Sequence, residues 1–212
     1  MTNSPPPSPS DGTLIAAVRA GDKQPFEELV RRYQGPLKNA AKSRLGRDDW
    51  AEDVVQETFL CAYRWLNTYD SKFSFRTWLW TILLNQVRRH LKKHGRVPRV
   101  DSWTDQTTQD ANCVAATQEP AGREAAPPEK LLAAESSELL AEVLSQLPEA
   151  QADALRLRFF GGLKFEEIAA AMQCSLSTAK NRVRDGLLQM SQRLQADNKH
   201  RTFFGPIEHQ QP

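Results

Sequence analysis

The sequence predicts an all-α chain of two small helical domains joined by a flexible linker. Three observations support this. Apolar residues recur at three- and four-residue spacing through two long stretches. No strong alternating strand pattern interrupts them. Between the two stretches, residues 101–128 change character to Asp, Gln, Thr, Asn, Ala and three prolines with little apolar periodicity, as a linker does. A chain of 212 residues, 25% charged and 40% hydrophobic, has room for two such domains and some unpacked chain.

In chain order, residues 1–10 are a Pro/Ser-rich tail that cannot build a core. A first domain spans 11–97. Leu14, Ile15 and Val18 share one face of a short helix ending near Gly21. Phe26, Leu29, Val30, Tyr33 and Leu37 mark a second helix, which Pro36 is expected to bend or break. Asp48 and Asp49 can cap a third, with Val54, Val55, Thr58, Phe59 and Ala62 facing inward. A fourth runs through Trp78, Leu79, Ile82, Leu83, Val87 and Leu91 toward Gly95 and Pro98. The linker occupies 98–129 and a second domain 130–196. There helices resume with Leu131, Leu132, Leu139, Leu140, Val143, Leu144 and Leu147, and Pro148 opens the next. Gly161 and Gly162 end that helix, and two more follow near 165–172 and 177–195. A loose tail is expected over 197–212.

Charge patterning narrows the function. The formal net charge is only +2, so overall basicity announces nothing. From Ser71 to Val100, however, no Asp or Glu occurs, while Lys72, Arg76, Arg88, Arg89, Lys92, Lys93, Arg96 and Arg99 do. Clustering of one sign suits a phosphate-tracking surface. Phe73, Phe75, Trp78 and Trp80 sit among these cations, where aromatics can stack on unpaired bases. Trp78 and Trp80 are two apart on a helix, so both cannot face one core, and at least one is expected to be partly exposed. Asn85 begins the basic half of that helix. Upstream, Glu52, Asp53, Gln56 and Glu57 make one acidic-polar helix face able to dock on a basic partner helix.

The second domain holds the more specific local motif. Ile168, Ala169 and Met172 form the inner face of a helix, Gln173, Cys174 and Ser175 a tight turn, and Ser177 or Thr178 starts the next helix. Leu176, Val183, Leu187, Met190 and Leu194 are expected inside, and Lys180, Asn181, Arg182 and Arg184 outside. That is a helix-turn-helix whose second helix enters the major groove, where Arg and Asn read guanine and adenine edges.

Other classes find less support. No signal-peptide core or membrane-length apolar run is present, so a soluble protein with no evident export signal is expected, and the cysteine usage points to a reducing cytoplasm. Cys61, Cys113 and Cys174 are odd in number and widely spaced, and no disulfide framework is expected. His90 and His94 have metal-ligand spacing, but Arg89, Lys92 and Lys93 would repel a cation. No phosphate loop or nucleophile motif occurs, so neither an enzyme nor a cofactor or metal is expected. A stand-alone helix-turn-helix regulator would explain the second domain, but not the acidic helix or the aromatic loop.

Three segments in order carry a family resemblance. Ala51–Trp65 (AEDVVQETFLCAYRW) resembles the core-polymerase-binding helix of sigma-70-family proteins. Phe75–Asn85 (FRTWLWTILLN) is similar to their promoter-melting segment, and Leu147–Arg184 to their C-terminal helix-turn-helix domain. Two domains with no other sigma regions match the extracytoplasmic-function (ECF) group: a four-helix sigma-two domain and a sigma-four domain. The resemblance implies a non-enzymatic sigma factor whose partners are core RNA polymerase, promoter DNA and, as for many such factors, an anti-sigma factor. Asp53, Gln56 and Glu57 would bind the polymerase clamp. The loop from Asp70 to Phe75 would take a flipped base. Lys72, Phe73, Phe75, Arg76, Trp78, Trp80, Asn85, Arg88, Arg89 and Lys92 would melt and read the minus-ten element. Ser177, Thr178, Lys180, Asn181, Arg182 and Arg184 would read the minus-thirty-five element. Two departures are Arg89, where the family often has Asp, and Asp185-Gly186, where it often has Arg-Ala. A glycine there costs the helix about 1 kcal/mol relative to alanine.

Overall fold

The computed structural model describes residues 9–71, 74–94 and 134–203, the side chains of 134–139 and 194–203 excepted. The tail 1–8, Lys72, Phe73, residues 95–133 and residues 204–212 lie outside the described residues, so the expected linker does too. Every regular element among the described residues is helical.

The first domain holds α1 (Asp11–Arg19), α2 (Gln24–Leu45), α3 (Asp48–Arg64), a 3-10 turn (Leu66–Thr68) and α4 (Phe75–Lys93). Ser10 caps α1, its Oγ accepting the Thr13 N–H at 3.2 Å, and Gly21 follows with φ +104°, a conformation open to glycine. Contrary to expectation, α2 passes through Pro36 unbroken. Pro36 is exposed and Arg32, whose carbonyl loses the hydrogen bond that Pro36 cannot donate, is only half-buried, so the missing bond does not fall in a core. Gly46, left-handed at φ +71°, ends α2 and returns its N–H to the Lys42 carbonyl. Asp48 and Asp49 occupy the first turn of α3 rather than its cap, which is Arg47; they still favour the positive end of the helix dipole. Arg19 pins the 3-10 turn to α1, donating to the carbonyls of Leu66 (2.8 Å) and Tyr69 (2.5 Å).

The second domain holds α5 (Ala134–Ser145), α6 (Glu149–Phe159), α7 (Phe165–Ala171) and α8 (Leu176–Phe203). Pro148 caps α6, and Gly162 turns the chain with φ +62°. Ser175 caps α8 by accepting the Thr178 N–H at 3.1 Å. Helix α8 does not stop near 195 but runs on to Phe203.

The expected inner face of α8 is met at Val183 but not at Leu176 or Leu187. Leu176 and Leu187 are 38% and 40% exposed, whereas Ala179 and Val183 are buried. The next inward position is Gly186. A Cβ built there would lie 2.9 Å from Leu155 Cδ1, on a fully buried leucine of α6. The residue that seemed a fault in the helix is therefore where α6 and α8 approach closely. Gly186→Ala is expected to lower the thermal midpoint: overpacking costs about 1–3 kcal/mol, against roughly 1 kcal/mol gained in helix propensity. A raised midpoint would contradict this packing.

The two domains are packed together. Helix α5 lies against α2, and α7 against α4, so one hydrophobic cluster continues from Leu14 to Val183. Trp80 on α4 is 1% exposed, and a Cβ on Gly161 would meet its ring at 3.0 Å. The expectation that Trp78 or Trp80 would be partly exposed is corrected: both are buried, in different places. Trp78 packs with Tyr69 and Phe75 in the first domain, at centroid distances of 5.3 and 5.7 Å. Trp80 faces the second domain. Cys61 is buried, and Cys174, half-buried, is free.

Candidate partner and nucleic-acid interfaces

Three surfaces are built from these helices. The first is the outer face of α3. Spacing of three and four residues puts Glu52, Asp53, Gln56, Glu57 and Leu60 on one side, all exposed, while Ala51, Val54, Val55, Thr58 and Phe59 are buried on the other. Asp53, Gln56 and Glu57 are thus brought together as the sequence implies. Leu60, 54% exposed, extends the stripe with an apolar side chain. Sequence reasoning missed it, although its i, i+3 and i, i+4 spacing from Glu57 and Gln56 was there to read. Tyr63 adds a second exposed apolar ring, packed at 5.0 Å against Phe26.

The second surface is α4. Ser74 caps it, its Oγ accepting the Thr77 N–H at 3.1 Å. Phe75 and Trp78 are buried in an aromatic cluster with Tyr33 and Tyr69. Burial pushes the Tyr69 hydroxyl up to about 12, and raises Tyr33, where the Asp11 carboxylate accepts its hydrogen bond. Arg76 is half-buried, close enough to Tyr33 to act on its ionisation. The aromatic residues expected to meet bases therefore belong largely to cores. The later half of α4 is different: Arg88, Arg89, Lys92 and Lys93 are exposed, and Asn85 is half-exposed. Beside this basic ridge, His90 and His94 pack against Trp50 at 4.8 and 4.9 Å, with Arg47 over the Trp50 ring. Burial and the neighbouring His94 hold His90 below the ordinary histidine range, which favours the neutral imidazole. Among the described residues, no group of three or more His, Cys, Asp or Glu side chains is placed to hold a metal ion. Lys72 and Phe73 lie outside the described residues.

The third surface is α8. Ser177, Lys180, Asn181 and Arg184 are exposed along its first turns, and Thr178 is half-buried at the cap. Arg184 also pairs with Asp185 at 3.0 Å. Arg182 departs from the expected outer face: it is half-buried and close enough to Cys174 to act on its thiol, which burial otherwise pushes up. The helix-turn-helix geometry is fixed by α7, where Glu167 folds back to accept the Lys164 N–H at 2.8 Å and Ile168 is fully buried.

Among the described residues, no helix is long and apolar enough to cross a membrane. Two family descriptions match the chain: Sigma-70 region 2 over residues 29–97 and Sigma-70, region 4 over residues 137–190. The RNA polymerase sigma-H factor of Pseudomonas aeruginosa is 36% identical over 174 residues, which cover 82% of this chain and 88% of the relative. The ECF RNA polymerase sigma-E factor of Haemophilus influenzae is 33% identical, over 82% of this chain and 89% of its own. Its Escherichia coli counterpart is 32% identical, over 82% and 88%. Two solved structures share the fold. CnrH in complex with the cytosolic domain of CnrY has a TM-score of 0.64 at 23% identity, covering 88% of this chain and 98% of that one. The sigma factor RpoE in complex with the anti-sigma factor NepR, from Bartonella quintana, has a TM-score of 0.58 at 24% identity, covering 81% and 98%.

Proposed function

Because the chain belongs to the sigma-70 family, in its ECF group, we propose that its three surfaces divide the work of a promoter-directing subunit of RNA polymerase. It is a sigma factor: it binds core polymerase and directs transcription initiation at particular promoters. The observation that best supports the division is the separation of charge on the folded surface. The exposed face of α3 carries Asp53, Glu57 and Leu60, while the exposed end of α4 and the first turns of α8 carry cations.

On this reading Asp53, Gln56, Glu57 and Leu60 dock on a basic helical element of the polymerase. Arg88, Arg89 and Lys92 hold phosphates around the minus-ten element, with Asn85 beside them and the Asp70–Phe75 loop receiving a flipped base. Phe75 and Trp78 brace that end of α4 from within, and Arg76 orients Tyr33. Ser177, Thr178, Lys180, Asn181 and Arg184 approach the minus-thirty-five element. Sigma factors are in general non-enzymatic regulators, and melting needs no covalent step from this chain: unstacking a base costs a few kcal/mol, which pocket and phosphate interactions offset. The working compartment is the cytoplasm, where the polymerase acts. An anti-sigma factor is a fitting partner, since the Bartonella quintana neighbour is itself held by one.

Two measurements test this. Gel shifts on duplex promoter fragments should require core polymerase; a shift by the pure chain of equal strength would favour a stand-alone regulator. Run-off transcription from a genomic library should acquire new start sites when the chain is added to core. For the basic ridge, Arg88→Gln, Arg89→Gln and Lys92→Gln should each flatten the slope of log K against log salt of the holoenzyme by about 0.9 for each phosphate the cation neutralises. An unchanged slope would remove that residue from the interface.

A further inference from the structure

His90 and His94 lie one turn apart at the C-terminal end of α4, their ring centroids 4.4 Å from each other. Both rings rest on Trp50 of α3: His94 stacks on it at 4.9 Å, and His90 meets it edge-on at 4.8 Å. Arg47 covers the same indole at 4.8 Å, and its charge is offset by Asp49, whose carboxylate accepts its Nε–H at 2.9 Å. His94 is exposed beside Lys92 and Lys93, whereas His90 is half-buried, and its Nε2 is buried without a hydrogen-bond partner. Of the charged groups facing His90, Asp53 and Asp49 of α3 favour its protonation, while His94 and Lys93 oppose it. The charges on the other helices packed against α4 are engaged elsewhere. On α2, Lys42 is paired with Asp48 at 2.9 Å and Arg44 with Glu149 of α6; Glu167 of α7 lies at the far end of α4, bonded to Ser74.

We propose that His90 and His94 belong to the DNA grip: as a phosphate reaches the end of α4, the imidazole pair takes up one proton from solvent and bonds the phosphate through it, so affinity for DNA rises as pH falls. The proposal rests on the reading of the basic end of α4 as a DNA contact. The geometry supplies what such a grip needs. His94 is exposed next to the cations that attract the phosphate. Trp50 holds its ring in place and, at 4.9 Å, lies within the roughly 6 Å over which an aromatic face stabilises a cation. The end of α4 is also the negative end of its dipole, which favours a cation there. In the free chain the balance runs against the proton. Burial, and then the neighbouring His94, hold His90 below the ordinary histidine range, and charge on one ring opposes charge on the other. A phosphate reverses this, because an opposite charge within about 4–6 Å favours the charged form. The complex therefore binds the proton more tightly than the free chain does. The gain in affinity is fully present below the range in which the free pair titrates, and is lost as pH rises through the range of the complex. The neighbouring Arg89, Lys92 and Lys93 that would repel a metal ion are the same groups that recruit the phosphate.

The test uses the full-length protein and a labelled single-stranded DNA of random sequence, followed by fluorescence anisotropy at low salt. Lowering the pH from about 8 to about 5.5, across the ordinary histidine value, should tighten binding about tenfold, as a rise of about one pKa unit in the complex gives. The slope of log K against log salt should steepen by about 0.7, the share of one phosphate on a single strand. His94→Gln should bind weakly at both ends of the range with an unchanged salt slope, keeping only the pH dependence that His200 and His209 contribute. His94→Lys fixes the charge, and should bind at about pH 8 as tightly as the wild type does at about pH 5.5. His90→Gln removes the ring that opposes the proton, and should move the tightening to higher pH. Equal pH dependence in the wild type and His94→Gln overturns the proposal. So does a His94→Lys variant that binds no more tightly than the wild type at the alkaline end. A tightening that stays in place in His90→Gln overturns the sharing of the proton between the rings. If His94→Gln loses helix content, His94→Lys decides. No polymerase enters the assay, so the sigma-factor reading stands or falls separately, on run-off transcription.

Discussion

Replacing Asp53 and Glu57 together with lysine is expected to abolish holoenzyme formation, with at least a hundredfold loss of affinity for core polymerase, while the chain stays folded. Both side chains are exposed on α3 and neither contributes to the core behind them, which is made by Val54, Val55, Thr58 and Phe59. Substitutions at such positions ordinarily move stability by less than about 0.5 kcal/mol. The reversal weakens the interface in two ways: it removes two attractions and introduces two repulsions against a basic partner surface, and like-charge juxtaposition costs several kcal/mol. Leu60→Ala should weaken assembly by a smaller step, since it removes apolar area without adding repulsion. Size-exclusion chromatography of each variant mixed with core polymerase reads the outcome. A normal holoenzyme peak from the double lysine variant would show that this face is not the dock. The DNA-facing side chains of α4 and α8 are untouched by these changes, so a DNA-binding defect without an assembly defect would be equally damaging.

Much of the fold is legible in the sequence because amphipathic periodicity reports which side of a helix is buried. The extents of α1, α3, α4 and α6 follow from that signal and from Gly21 and Pro148. Phase within a helix is less secure where the inner face is made of small residues. In α8 the inward positions are Ala179, Val183 and Gly186, two of them with little or no side chain, while apolar Leu176, Leu187 and Leu188 point outward. The apolar pattern then finds Val183 but misplaces Leu176 and Leu187, and takes Arg182 with them. Proline misleads for a related reason. The rule against Pro36 concerns a helix interior, but at an exposed position the unmade bond is tolerated.

The packing of one domain on the other was not legible at all, although one of its consequences was. Trp78 and Trp80 cannot share one core, and one of them does leave it; what covers Trp80 is the other domain rather than solvent. The junction is specified by Ser43, Arg44, Glu149, Asp153, Arg156 and Glu167, polar residues that in sequence look like solvated helix faces. Arg156 and Ser43 are 113 positions apart. Only when α6 is laid against α2 does a buried guanidinium acquire an acceptor, and burial then draws its pKa below the ordinary arginine value. Periodicity has no means of signalling such a pairing, because hydrogen bonds between distant helices leave no repeat in either one.

The recognition helix offers the second large effect, and it separates residues that sequence alone treats alike. Asn181→Ala and Arg184→Ala are each expected to lower holoenzyme affinity for the mapped upstream element by about 1–3 kcal/mol and to relax specificity at one base position, as removal of a bidentate base pairing does. Lys180→Ala should weaken binding more uniformly across sequences, since an ammonium bonds a phosphate without reading a base. Arg182→Ala should behave differently from all three. Its side chain is half-buried and its charge is felt by Cys174 on the turn, so its loss should lower the thermal midpoint and leave base preference unchanged. Competition binding on a library of upstream elements, with melting curves for each variant, distinguishes the two behaviours. Altered base preference in Arg182→Ala, or none in Arg184→Ala, would mean that α8 enters the groove rotated from the orientation its exposed side chains define.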